Sequence, residues 1–129
     1  MIVVDTAAII DALTLPDGTE DLRQRLAVED LHAPHLIDYE VLSVLRGLTN
    51  AGRLSESRAT DALTDFHDLG IQRWPASRAL AHRAFQLRHN VSAYDAAYLA
   101  LAEALQCPLI TRDVRLMNSV PSTVHVELL

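Results

Sequence analysis

Short β-branched runs alternate along this chain with longer stretches of helical periodicity, and that alternation sets the fold class. Residues 2–4 (Ile-Val-Val) form a compact run suited to a buried strand. Asp5 and Thr6 follow, with Thr6 placed to cap a short helix over 7–13. Pro16-Asp17-Gly18 is a turn, 22–28 reads as helical, and 31–33 forms a second strand closed by Pro34. The next helix spans 36–51 and stops at Gly52. Its apolar positions Ile37, Val41, Val44, Leu45 and Leu48 follow the spacing of one core-facing stripe. A helix over 55–69 ends at Gly70, and 71–74 is a strand stopped by Pro75. Ser77 caps a helix through His89, with Asn90 as its left-handed terminus. Ser92 caps an alanine-rich helix over 93–105, and 108–111 and 124–128 are the last two strands.

Strands separated by helices predict a parallel α/β sheet with helices on both sides. No repeat, low-complexity tract or linker divides the 129 residues, so a single domain over 1–129 is expected. In such sheets ligands bind outside the carboxyl ends of the strands. Four acids fall at that edge. Asp5 and Asp113 lie just past strand ends, while Glu40 and Asp95 lie in the first turns of two helices. Glu40 is the most telling, because it sits on the apolar stripe between Ile37 and Val44. The helix dipole favours an acid in the first turn, yet an acid serving the dipole alone belongs on the solvent side.

Carboxylates about 5 Å apart repel by ~3 kcal/mol per pair at an effective dielectric near 20. A divalent cation is the simplest neutraliser, and Mg²⁺ and Mn²⁺ prefer such oxygen ligands. A metal held there polarises a phosphoryl oxygen and activates water, so the expected chemistry is phosphodiester hydrolysis. Thr111 is placed to support a carboxylate or water with its hydroxyl. Each acid taken singly also has a structural reading: Asp5 as a helix cap, Asp95 as the partner of Ser92 in a capping arrangement, Asp113 as a turn residue.

Composition narrows the field. The net charge of −6 excludes a general nucleic-acid coat, though not an enzyme acting on nucleic acid. All eleven basic residues are arginine. Arg46, Arg112 and Arg115 are candidates for RNA phosphate contacts, with solvated surface charge as the competing reading. The six histidines show no metal-ligand spacing, and Trp74 before Pro75 reads as packing. One cysteine, Cys107, gives neither an intrachain disulfide nor a thiolate zinc site. With no apolar run near the roughly 18 residues of a membrane span and no secretory start, a cytoplasmic protein without membrane contact is expected.

In order, Val-Asp-Thr at 4–6, Tyr-Glu-Val-Leu at 39–42, Tyr-Asp-Ala-Ala-Tyr-Leu-Ala-Leu-Ala at 94–102 and Thr-Arg-Asp at 111–113 resemble the PIN-domain family. More narrowly, they resemble its VapC-type toxins of type II toxin–antitoxin modules, over essentially the whole chain. That resemblance implies a PIN-like three-layer sandwich with a central five-stranded parallel sheet. It implies a Mg²⁺- or Mn²⁺-dependent endoribonuclease that cuts structured RNA, tRNA or rRNA, to halt translation. It also implies a homodimer and a VapB-like antitoxin that occludes the site. The family's acidic set falls on Asp5, Glu40, Asp95 and Asp113, with Thr6 and Thr111 as supporting hydroxyls. Two departures are visible: Ala7 stands where a second hydroxyl is frequent, and Arg115 and Leu116 offer no further acid.

Receiver domains and dehalogenase-type phosphatases also place acids at parallel strand ends, but both need a lysine and this chain has none. The P-loop class fails for the same reason and for lack of its glycine-rich loop. A flavodoxin-like protein fits by fold alone, without a phosphate cradle. The remaining alternative is a PIN-fold binding module with little catalytic activity.

Overall fold

In a computed structural model describing residues 1–129, five short parallel strands form one sheet in the order β3-β2-β1-β4-β5. The strands are β1 (Ile2–Val4), β2 (Leu31–Pro34), β3 (Gln72–Trp74), β4 (Leu109–Thr111) and β5 (Val126–Leu128). β1 lies at the centre, with Val3 opposite His32 on one side and Leu109 on the other. Its three side chains are fully buried, which matches a strand covered on both faces.

The connections are helical: α1 (Thr6–Thr14), α2 (Glu20–Val28), α3 (Leu36–Asn50), α4 (Glu56–Asp68), α5 (Arg78–Gln86), α6 (Ala93–Leu105) and α7 (Val114–Met117). α1 packs with α2, α3 and α4, whereas α5 packs on α6, which lies against β1, β2 and β4. The strand order runs outward from β1 to β3 and then returns past β1 to β4. Right-handed crossovers therefore place α1–α4 and α5–α6 on opposite faces. The core joins both layers through Ile9, Ile37, Val41, Phe66, Leu99, Leu101 and the strand residues. No helix is long and apolar enough to cross a membrane.

Several local expectations needed correction. Asp5, not Thr6, caps α1: its Oδ1 accepts the Ala8 N–H at 2.9 Å. Val44 is 38 % exposed, so the buried stripe of α3 is Ile37, Val41 and Leu45. α5 ends at Gln86 and Asn90 is not left-handed; the only non-glycine residue with positive φ is Gln106, at 52°, which terminates α6. Of Leu42, Leu45, Leu48 and Leu54, three pack in or against the core and only Leu42 stays exposed. Residues 114–117, without periodicity long enough to read, form the short α7. Five of the six histidines are exposed, but His32 is buried in β2 and accepts the Trp74 indole N–H on Nδ1 at 3.0 Å.

Candidate metal centre at the carboxyl edge

β1 ends at Val4, and the chain turns immediately into α1. This places the Asp5 side chain at the mouth of the central strand, only 8 % exposed. Its two oxygens are fixed from different elements. Oδ1 takes the Ala8 N–H, and Oδ2 accepts the hydroxyl of fully buried Thr111 at the end of β4. The Thr111 oxygen in turn accepts the Asp113 N–H at 3.0 Å. One threonine thus couples the end of β1 to the segment carrying Asp113.

Glu40 is positioned from the other side. Its Oε1 accepts the phenol of Tyr98 at 2.7 Å, and the Thr6 hydroxyl lies 3.1 Å from the same oxygen and 3.0 Å from the phenol oxygen. Burial pushes the Tyr98 phenol well above its ordinary value, so it remains a donor. Tyr98 is a site residue that the motif at 94–102 contains without giving it a task. Its position three residues after Asp95 on one helix was the available signal.

Asp113 caps α7, and Arg115 binds it through the backbone and through Nε and Nη2 at 3.2 and 3.1 Å. Those hydrogen bonds hold the Asp113 carboxyl below the usual range. Asp95 contributes its backbone N–H to Ser92 Oγ at 3.2 Å, while its carboxylate accepts no hydrogen bond. Asp95 and Asp113 line one shallow depression together with Arg115.

Asp5 carries the electrostatic signature. Burial pushes its carboxyl up to about 6, and the negative charges of Asp113 and Asp95 add to the rise against the hydrogen bonds from Thr111 and Ala8. A buried carboxylate held only by neutral donors and facing two other acids is costly as an anion. The donors around it are all oxygens, the set a hard divalent ion prefers. No three acidic, histidine or cysteine side chains are drawn into a ready-made cage. The chemistry of Asp5, with the charges of Asp95 and Asp113 acting on it, therefore fits a metal, while Glu40 is held separately by Tyr98 and Thr6.

The three candidate arginines separate. Arg112 is committed away from the acids, to Asp11 at 3.0 Å and to the carbonyls of Gly18 and Leu129. Arg46 is exposed on α3 without a hydrogen bond or ion pair. Arg115 is the one arginine bound to a member of the acidic set, and its side chain is 91 % exposed.

Comparison with known proteins agrees with this architecture. The PIN domain profile matches residues 2–121. Ribonuclease VapC9 of Mycobacterium tuberculosis (strain ATCC 25618 / H37Rv) is 46 % identical over 119 residues, covering 92 % of this chain and 91 % of that protein. Ribonuclease VapC12 of the same strain is 38 % identical over 129 residues, covering 99 % and 98 %. Among solved structures, VapBC2 from Rickettsia felis bound to a promoter DNA fragment superposes with a TM-score of 0.73 at 14 % identity, over 100 % of this chain and 99 % of that one. DNA-bound VapBC from Salmonella typhimurium gives 0.70 at 17 %, over 98 % and 96 %. At those identities the structures speak for the fold.

Proposed function

The chain belongs to the PIN-domain family, and from that premise we propose that it works as a VapC-type toxin endoribonuclease whose hydrolysis of RNA requires Mg²⁺ or Mn²⁺ at the carboxyl edge. The observation that carries the metal is Asp5, a buried acid with no cationic partner and two acids beside it. Asp5, Asp95, Asp113 and Glu40 would hold the ion, which when bound polarises a phosphoryl oxygen and lowers the pKa of a water. Around it the chain's own groups do the positioning. Thr111 and the Ala8 N–H fix both oxygens of Asp5, and Tyr98, with Thr6, keeps Glu40 aimed toward the same edge.

The substrate is structured RNA, tRNA or rRNA, cut to inhibit translation, and residues 1–129 act as one domain in the cytoplasm. The VapBC complexes that share the fold support a VapB-like antitoxin as partner, and the family supports a homodimer. The binding-module alternative is not favoured, because the ribonuclease relatives cover nine-tenths or more of the chain.

The test is cleavage of labelled total RNA by the purified protein in Mg²⁺, Mn²⁺ or EDTA, beside the Asp5→Asn variant. Turnover that needs the metal and vanishes in the variant is expected. Equal cleavage in EDTA would refute the metal requirement, and equal cleavage by the variant would remove Asp5 from the site.

A further inference from the structure

An open apolar cleft lies on the same edge as the acids, and neither the metal nor its supporting hydroxyls use it. It encloses about 140 Å³, and eight of its eleven lining residues are hydrophobic. Pro34 closes β2 and Trp74 closes β3, so the floor of the cleft is built from strand ends, as Asp5 is. Leu36 is one helical turn before Glu40 on α3, and Ala97 is two residues after Asp95 on α6. Neighbours one turn apart on a helix are roughly 5–6 Å from each other. The cleft therefore begins about one turn from Glu40, whereas Ala97, two residues after Asp95, stands on a different face of α6. Its outer wall is Leu80 and Ala84 of α5, a helix with no fully buried residue.

Resting on the ribonuclease reading, we propose that this cleft receives one unstacked nucleobase of the RNA, beside the phosphodiester that is cut. Charge points the same way. Five arginines are held in ion pairs with carboxylates, Arg23 and Arg58 donate to backbone carbonyls, and none lines the cleft. In a chain of net charge −6, only Arg46, Arg53 and Arg78 have no such partner and Arg88 donates to a backbone carbonyl, so base faces add to a limited grip on phosphates. Single-stranded loops offer such faces, and stacking on an aromatic ring or apolar wall is how proteins take them. Tyr94, outside the cleft lining, is 63 % exposed in the first turn of α6, next to Asp95 and three residues before the lining residue Ala97. The Trp74 indole is anchored by His32, which presents its ring as a fixed wall.

Trp74 is the only tryptophan, so its fluorescence reports on this cleft alone. The intact protein is titrated in EDTA with unstructured hexaribonucleotides of each base, and separately assayed for cleavage in Mg²⁺ or Mn²⁺. Saturable quenching, stronger for one base than the others, is expected. Ala84→Phe, which fills the cleft from α5, is expected to raise KM about tenfold, to change kcat less, and to abolish quenching. Ala84→Leu serves where the larger side chain lowers the melting temperature. Active protein whose Trp74 is unmoved by all four oligonucleotides would overturn the base site and leave the ribonuclease reading standing. So would an unchanged KM in a folded cleft-filling variant. Quenching by an apolar peptide but by no RNA would give the cleft to a protein partner and overturn the proposal. Absence of cleavage in either metal would sink the ribonuclease reading itself, and the base site with it.

Discussion

The two edges of the sheet treat their carboxylates in opposite ways. Toward the amino edge three acids have cations, though Asp30 has none. Glu29 binds Arg25 and the amino terminus, Glu127 binds Arg25, and Glu103 binds Arg83. Hydrogen bonds from those cations lower the carboxyl pKa values of all three. At the carboxyl edge Asp5 has only neutral donors and its pKa is raised, Glu40 is held by a phenol, and the Asp95 carboxylate accepts nothing. Of the four candidate acids only Asp113 has an arginine, and an exposed one, although Asp38 in the first turn of α3 pairs with Arg73. The chain pairs Glu29, Glu103 and Glu127 with cations and leaves Asp5, Glu40 and Asp95 without one. An unneutralised buried anion is a standing preference for a cation from solution.

Breaking the comparison at its centre has the largest expected effect. Asp5→Asn removes the buried charge and should lower RNA cleavage by about 1,000-fold, roughly 4 kcal/mol of barrier, in a gel-based cleavage assay. Glu29→Gln at the other edge should leave cleavage unchanged in the same assay.

The pH dependence of metal-free stability comes next. An Asp5 pKa raised from 3.8 to about 6 means the folded state holds a proton that the unfolded chain has released. Stability in EDTA should therefore fall as pH rises from about 4 to about 6, by roughly 3 kcal/mol from this group, and stay flat above. Denaturant melts at pH 4, 5, 6 and 7 check this. The raised-pKa component should vanish in Asp5→Asn, while the amino-edge acids, with lowered values, pull the other way below pH 4.

Adding Mg²⁺ at 100 times its dissociation constant should stabilise the protein by about 2.7 kcal/mol above pH 6, read as a rise in melting temperature, and little at pH 4. Thr111→Val deletes the donor to Asp5 and the acceptor of the Asp113 N–H, and should cost about 2 kcal/mol in a denaturant melt. Smallest of all, Arg25→Gln at the amino edge should cost about 1 kcal/mol or less, since its ion pairs are partly exposed.

Local sequence was enough for the five strands and the six longer helices, though not for α7, and for the level at which each acid stands. Ile2–Val4 is a buried strand in any context, Ser55, Ser77 and Ser92 cap helices by short-range bonds, and the acids follow strand ends or open helices by position alone. These properties depend on neighbours within one turn or one strand. Where periodicity was thin the reading slipped, as at Val44, which continues the stripe by spacing but faces solvent because α3 meets its neighbours through Ile37, Val41 and Leu45.

Tertiary structure alone decided which group holds which acid. Tyr98 reaches Glu40 across 58 residues and Thr111 reaches Asp5 across 106, and no local period encodes either contact. The strand order, the commitment of Arg112 to Asp11, and the cleft between α3, α5 and α6 are of the same kind. The physical reason is range. Propensity and capping act through bonds between near neighbours, whereas burial, desolvation and long-range hydrogen bonds exist only once the layers have closed on the sheet.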